Sequence, residues 1–294
     1  PFLLALALDP QSPTTLFAVG EVSGVFRTTD ASTWSPSGTG LTAAETLALV
    51  VDPSSSSRVF AATEDGGVFR STDGGASWAE ANQGLTLTDV GRVVSAPSDR
   101  IYALAAGVGV YRSTDAGATW QVSSTGLTEL DMTDLAVDTT DADRLWLTTD
   151  GAGVFGSTDG GVTWAPTVAA LPQSRAEAVA LDPSGVIYAG TRAGLFRSEN
   201  QGASWTDAST GLTDDRIRLL ALDPRVPSRL FCMTDAGVFR SVDSAGMWQA
   251  SGTGLGAADV GAFAFDDAGD GVWAASDLGV FRSEDGGATW ALAG

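Results

Sequence analysis

Gly67-Val68-Phe69-Arg70-Ser71-Thr72-Asp73-Gly74-Gly75-Ala76-Ser77-Trp78 joins a short apolar segment, a polar glycine-rich turn and an aromatic anchor. The pattern returns along the whole 294-residue chain. Its copies end at Trp34, Trp78, Trp120, Trp164, Trp205, Trp248 and Trp290, so successive copies lie 44, 42, 44, 41, 43 and 42 residues apart. A fixed period of this size marks an array of one supersecondary unit and decides the architecture before any single segment is assigned.

Each period carries the same four pieces. An apolar segment closes on Asp, as in Leu4 to Asp9, Leu47 to Asp52, Val179 to Asp182 and Leu219 to Asp223. A short β-rich segment follows, such as Leu16-Phe17-Ala18, Val59-Phe60-Ala61, Ile101-Tyr102-Ala103 or Ile187-Tyr188-Ala189. The Gly-Val-Phe-Arg segment and the Trp segment complete the unit. Short runs of this composition, punctuated by Gly, Pro, Asp and Ser, predict four antiparallel strands. No 3.6-residue periodicity competes, and 36 glycines argue against helices. A sheet apolar on both faces needs neighbours on both sides, which radial repetition supplies.

The expected fold is therefore all-β: a single seven-bladed β-propeller of four-stranded antiparallel blades at about 1–40, 41–84, 85–126, 127–171, 172–211, 212–254 and 255–294. A solenoid is the alternative, but solenoids usually carry atypical capping repeats and none is visible. The seven units fit with nothing left over. Blades one and seven are thus expected to meet through side-chain packing, without Phe2 to Asp9 pairing into the sheet of Trp290.

Composition removes several functions. The net charge of −20 arises from 36 acidic residues against 16 cations, all of them Arg. Such a surface repels phosphate backbones and anionic lipid heads, so no nucleic-acid partner is expected. No apolar run reaches the roughly 18 residues of a membrane span, so direct membrane insertion is not expected either. With no His, the commonest general base and metal ligand are missing, along with every Ser-His or Cys-His nucleophile pair. Cys232 has no partner for an intramolecular disulfide and reads as a small buried hydrophobe in Arg229-Leu230-Phe231-Cys232-Met233-Thr234.

The segment S-x-D-x-G-x-[ST]-W, intact at Ser71 to Trp78, Ser113 to Trp120, Ser157 to Trp164 and Ser283 to Trp290, resembles the Asp-box, or bacterial neuraminidase repeat. The key acids are Asp30, Asp73, Asp115, Asp159, Asp243 and Asp285, with Asn200 in repeat five; repeat one is a residue short and repeat six carries Ala245 and Met247. The resemblance implies a hairpin turn in which carboxylate and hydroxyl accept backbone N–H groups, closed by the Trp ring. Each turn offers one carboxylate where calcium takes six to eight oxygens, so no metal or other cofactor is expected there. The recurrent Arg27, Arg70, Arg112, Arg197, Arg240 and Arg282 are expected to pack their stems between blades and turn their guanidinium groups to acids or aromatic faces.

Asp-box propellers include sialidases, two-propeller xyloglucan-degrading hydrolases, sortilin-type receptors and the photosystem II assembly and stability factors; the uniform single set of seven units is most similar to the last. A sialidase needs an Arg triad and a Tyr-Glu nucleophile pair, whereas Tyr102, Tyr111 and Tyr188 all read as strand residues. The two-propeller hydrolases build a cleft between domains, and the seven units read here are expected to form only one propeller. No complete catalytic constellation emerges, so no catalytic residue is assigned and the favoured function is a non-enzymatic binding or assembly scaffold with a protein partner or membrane-associated complex. The alternative is a carbohydrate-active enzyme or carbohydrate-binding propeller. The resemblance implies an extracytoplasmic location.

One face is the expected seat of binding: the end where the loops between second and third strands meet the connections between blades. Seven residues before the position that closes each first strand, an Asp in every blade but the third, where Ala96 stands, are Phe2, Glu45, Asp89, Asp131, Arg175, Arg216 and Asp259, expected around the channel mouth. The same two blades add Arg218, two residues beyond Arg216, and Arg192, in a loop between second and third strands where equivalent positions hold Asp65, Asp235 and Asp277. The four arginines form the candidate site, suited to a carboxylate-bearing segment. The competing account is local pairing with Glu177, Asp214 and Asp215.

Overall fold

In the computed structural model, residues 3–20, 24–30, 32–42, 45–266 and 270–293 are described. They form seven four-stranded antiparallel sheets, each built from four consecutive strands, and no helix. The protein is a seven-bladed β-propeller. Its contacts group into two compact units. One contains residues 1–122 and 253–294, the other residues 123–252.

Blade two shows the logic of a unit. Its strands are Thr46–Asp52, Ser55–Thr63, Gly67–Ser71 and Ala79–Glu80. The second strand pairs on both sides and is buried without interruption from Val59 to Thr63, because packed layers cover both faces of the sheet. Leu145–Thr149, Ile187–Thr191, Leu230–Thr234 and Val272–Ser276 show the same continuous burial. Cys232 is fully buried in one of these strands, and its apolar surroundings push the thiol up. Each fourth strand has only two residues, both exposed, which limits the edge available for stray pairing.

Two polar devices fix the blade ends. At one end, the Asp closing a first strand is buried and caps the following turn. Asp52 Oδ1 accepts the Ser54 N–H at 2.8 Å and its other oxygen pairs with Arg58 at 3.0 Å; Asp138 likewise accepts from Thr140 at 2.8 Å and pairs with Arg144 at 3.1 Å. At the other end, Thr63 Oγ1 donates to Gly67 O at 2.8 Å and accepts the Gly66 N–H at 3.1 Å. Thr149, Thr191, Thr234 and Ser276 close their own turns the same way. Such hydroxyl-capped turns hold loop tips on rigid strands.

In the unit that contains both chain ends, Leu3–Asp9 pairs with Ser12–Gly20 and the sheet of Trp290 comprises four strands from Val260 to Leu292. No described residue of the first strand pairs into that sheet. Leu3, Leu6, Leu16 and Ala18 instead pack against Ala264, Trp273, Ala275 and Val280. Phe2 lies outside the described residues.

Candidate binding site

The connections entering blades three, five and six run along the turn between second and third strands of the preceding blade. In the unit spanning 123–252, Ile217 N–H donates to Thr191 O and Gly194 N–H to Asp215 O, both at 2.8 Å. Gly153 N–H donates to Ser174 O at 2.6 Å one blade earlier. These backbone bonds bring Arg216 to the turn that carries Arg192, and Arg175 to the turn that carries Asp150.

Glu177, in the first strand of blade five, is the hub. Its Oε1 accepts from Arg192 Nε at 2.6 Å and Arg175 Nε at 3.2 Å, while its Oε2 lies 3.6 Å from Arg216 Nε. Arg175 also pairs with Asp150 at 2.7 Å; Arg216 and Arg218 each approach Asp235 at 3.7 Å. Burial alone would raise the Glu177 carboxyl, but the Arg192 hydrogen bond and the charges of Arg216, Arg192 and Arg175 hold it below the ordinary Glu range. The hub side chain is 11% exposed, whereas those of Arg175, Arg192, Arg216 and Arg218 are 37%, 39%, 42% and 33% exposed. Four guanidinium groups thus share three carboxylates and keep their outer edges in water.

All four arginines singled out in the sequence are therefore joined in one network. Pairing with Glu177 is present. Asp214 serves differently, its Oδ1 accepting the Arg216 N–H at 3.0 Å, and Asp215 contributes its backbone carbonyl. Asp150 and Asp235 complete the network; their signal in the sequence was position, since each lies in the same turn of its blade as Arg192.

The unit spanning 1–122 and 253–294 places acids at the corresponding positions of blade two. Glu64 N–H donates to Glu45 O at 3.2 Å, and Val90 N–H donates to Thr63 O at 3.1 Å, which brings Asp89 to the same turn. A hydrogen bond to the Glu45 carboxyl and its charge, with smaller contributions from Asp65 and Asp89, raise the Glu64 carboxyl. The raised Glu64 went unnoticed in the sequence because acids are too abundant for any pair to stand out. Asp131 O accepts the Asp150 N–H at 2.9 Å, and Asp259 exchanges bonds with Asp277, whose Oδ1 accepts the Asp259 N–H at 2.8 Å.

The Ser-Asp turns occupy the opposite blade ends. Asp73 Oδ1 accepts the Ser77 N–H at 2.8 Å and the Ser71 hydroxyl at 2.8 Å, and Oδ2 accepts the Ser77 hydroxyl at 2.6 Å. Ser71 Oγ accepts the Gly75 N–H at 2.8 Å. Asp115, Asp159 and Asp285 repeat this set. Asn200 reproduces it with its amide donating to Ser204 at 2.8 Å, whereas Asp243 accepts only the Met247 N–H and the Ser241 hydroxyl. Asp30, in the shortened repeat, accepts from Ser32, Thr33 and Thr28. The hydroxyl of Ser77 foremost lowers Asp73 to about 2, and that of Thr119 does the same for Asp115. At Asp159 partial burial pulls upward but the donors of Thr163 outweigh it, leaving about 2.

Trp78, Trp120, Trp164 and Trp248 are buried and donate their indole N–H to the carbonyls of Ser37, Ala81, Ser123 and Ala208. Trp290 is buried as well, and Trp205, half-buried, donates to Ala169 O at 3.1 Å. Trp34 is half-buried. Of the recurrent arginines, Arg27 lies over Phe17 at 5.8 Å, Arg282 over Trp273 at 5.1 Å, and Arg197 pairs with Glu199 at 2.8 Å. Arg70 donates to Ala116 O of the next blade at 3.0 Å.

These features define a β-propeller whose blade ends carry Ser-Asp turns on one side and charged turns on the other. No protein-family profile matches the sequence, and no curated protein matches it significantly. Solved structures do match. A GH74 xyloglucanase from Xanthomonas campestris aligns over 99% of this chain at 17% identity with a TM-score of 0.80, and this chain covers 54% of it. YCF48 bound to D1 peptide aligns over 96% at 16% identity with a TM-score of 0.75, and 92% of that chain is covered. The extracellular domain of a one-component system from B. thetaiotaomicron aligns over 98% at 16% identity with a TM-score of 0.78, with 41% of that chain covered. The chain thus spans about half the length of the xyloglucanase it resembles. At such identities the likeness is one of fold. Among the described residues no helix is long and apolar enough to cross a membrane.

Proposed function

We propose that this propeller is a non-enzymatic binding scaffold of the Asp-box type, and that its arginine network grips a carboxylate-bearing segment of a protein partner outside the cytoplasm. The observation that carries the reading is the concentration of cations in that network: three half-exposed arginines around one shielded Glu177 and a fourth, Arg218, on Asp235, on a chain whose net charge is −20. Relief of acidic repulsion needs only one cation per acid. An incoming carboxylate finds guanidinium forks already oriented by Glu177, Asp150 and Asp235, so little side-chain freedom is lost on binding. The peptide held by YCF48 and the extracellular domain among the fold neighbours agree in kind with this use of a propeller.

The carbohydrate-active alternative draws on one observation, the Glu45–Glu64 pair, since a glycosidase of the usual kind needs a carboxyl held protonated beside a second carboxylate. Glu64 is, however, exposed to solvent, and neither described cavity of that unit is lined by the pair. The decisive experiment compares wild type with Arg175→Ala/Arg216→Ala, both for binding of a labelled hexaglutamate peptide at low salt and for recovery of partners from the native source. Binding at least about tenfold weaker, with selective loss of one partner, is expected from two charge-assisted contacts removed. Equal affinity and equal recovery would sink the reading.

A further inference from the structure

In blade one the Ser-Asp turn is a residue short, and between it and the turn of blade two lies a cavity of about 460 Å³ lined by Arg27, Thr29, Thr33, Ser35, Ser37 and Ala76. That size lies within the range of small-molecule sites. Arg27 is half-buried, its guanidinium carbon 5.8 Å from the centroid of the Phe17 ring, which backs and orients it. Thr29, Thr33 and Ser35 are exposed around it. Asp30 also reaches the cavity, yet both its oxygens are taken by its own turn: Oδ1 accepts from Thr28, Ser32 and Thr33, and Oδ2 accepts the Thr33 hydroxyl at 2.6 Å.

The wall formed by Ser37 is fixed from three directions. Its N–H donates to Val25 O at 2.8 Å, its hydroxyl donates to Gly75 O, and its carbonyl accepts the Trp78 indole N–H at 2.6 Å. Two residues on, Thr39-Gly40-Leu41 seats on Trp78: Thr39 O accepts the Trp78 backbone N–H at 2.9 Å, and Leu41 plugs the gap between sheets by packing on the cluster of Phe17, Val25 and Trp78. The same plug recurs as Gln83-Gly84-Leu85, Thr125-Gly126-Leu127, Thr210-Gly211-Leu212 and Thr253-Gly254-Leu255, whose first carbonyls accept the backbone N–H of Trp120, Trp164, Trp248 and Trp290 at 2.8–2.9 Å. Leu85 packs on the cluster holding Val68, Val90 and Trp120. The cavity is thus built into a locked junction between two blades.

Other blades show what such an arginine takes. Two residues beyond Arg197 and Arg282 stand Glu199 and Glu284, whose carboxylates meet those guanidinium groups at 2.8 and 2.7 Å. Arg70, followed by Thr72, spends a donor on Ala116 O of the next blade. Arg27 is followed by Thr29, and among the described residues no carboxylate meets it. We infer that the cavity between blades one and two binds a hexuronate, an acidic sugar whose carboxylate takes the place beside Arg27 that Glu199 and Glu284 fill in their own blades, and whose ring hydroxyls meet Thr29, Thr33 and Ser35. A bare carboxylate leaves those hydroxyls to water, and a neutral sugar brings no counter-charge to the guanidinium; a molecule carrying both groups satisfies both. The site uses none of the residues of the Glu177 network.

The test follows the backbone amide resonances of Ser37 and Ala76 while methyl glucuronide is titrated at low salt. Methyl glucoside, its neutral counterpart, and acetyl-glutamyl-amide, a carboxylate without ring hydroxyls, are the comparisons. Saturable shifts with glucuronide, at an affinity at least about tenfold above that of either comparison, are expected from a charge-assisted contact made together with the hydroxyl contacts. Arg27→Gln and Ala76→Glu, the latter placing a negative charge on an exposed rim residue without touching the arginine, should each weaken binding at least about tenfold, and Arg175→Ala/Arg216→Ala should leave it unchanged. Glucoside as tight as glucuronide overturns the site, because the arginine is then idle; acetyl-glutamyl-amide as tight as glucuronide overturns it in favour of an acidic peptide. Affinity unchanged in Ala76→Glu, affinity lost in Arg175→Ala/Arg216→Ala, or no saturable shift at all overturns it as well.

Discussion

Substituting Gly84, Gly107 and Gly91 each by Ala separates three contributions within one unit. At Gly91, φ is not positive and an added Cβ meets nothing within 4 Å, so Ala removes only unfolded-state freedom and should stabilise by about 0.4–1 kcal/mol. At Gly107, φ is +75° with open space around the Cβ, so the left-handed backbone should cost about 1–2 kcal/mol. At Gly84, φ is +99° and the Cβ would stand 2.1 Å from Trp120 O and 3.0 Å from its carbonyl carbon. Backbone cannot yield as a side-chain tip can, so the Gln83-Gly84-Leu85 plug has to withdraw. Its retreat loses the 2.8 Å bond from Trp120 N–H to Gln83 O, about 1 kcal/mol, and the burial of half-buried Leu85, about 1.5 kcal/mol. With the backbone cost the sum is about 4 kcal/mol. Urea denaturation followed by far-ultraviolet circular dichroism measures all three, with thermal melts in parallel. A Gly84→Ala protein no less stable than Gly107→Ala would refute the plug as the element that locks neighbouring blades.

Asp115→Ala should lose about 1 kcal/mol by freeing the Thr119 and Ser113 donors, with hexaglutamate affinity unchanged; lost binding at unchanged stability would contradict a hairpin role. Since Asp73, Asp115 and Asp159 titrate near 2 when folded, below the ordinary 3.8, their contribution is complete above about pH 4 and is lost as pH falls toward 2, so Asp115→Ala should flatten the acid limb of the stability–pH curve. Glu64 runs the other way: its folded proton affinity is raised, so Glu64→Gln should raise Tm at pH 7 and leave it nearly unchanged below about pH 4, where wild-type Glu64 is protonated in both states. Glu177→Gln should lower Tm while tightening hexaglutamate binding severalfold; a fall in Tm with no gain in affinity would mark the arginines as purely structural.

The blades were legible because each depends on local chemistry that repeats in register. The Trp and Asp of each turn, the run Val59-Phe60-Ala61 and the closing Asp52 all announce themselves by period, and all but the Trp, which bonds to the segment before its blade, are fixed within their own hairpins. The arginine network was legible by the same route, because counting seven residues back from Asp182 and Asp223 reaches Arg175 and Arg216. What could not be read was which of many acids each arginine would meet. Asp214 lies two residues from Arg216 and Asp150 lies 25 residues from Arg175, yet it is Asp150 that binds its arginine side chain to side chain whereas Asp214 caps a backbone N–H. That choice depends on how one blade's connection lies along its neighbour's turn.

The Thr-Gly-Leu segments escaped a reading centred on strands although they carry polar contacts between adjacent blades. The segment belongs to no strand; it is half loop, and its residues are small or commonplace. Its repetition at Leu41, Leu85, Leu127, Leu212 and Leu255 was nevertheless open to inspection, always about 35 residues before the Trp it serves. The same reasoning gives the variant at Leu171 its meaning. There Ala169-Ala170-Leu171 replaces the usual triplet, Leu171 remains buried beside Trp205, and the Trp205 indole N–H donates to Ala169 O, two residues beyond the position that accepts it in other blades. Loss of the Gly leaves that Trp half-buried, whereas retention of the Leu preserves the apolar seal. The Leu therefore closes the gap between sheets and the Gly sets how closely the Trp can approach, two roles that Leu85→Ser and Gly84→Ala would separate.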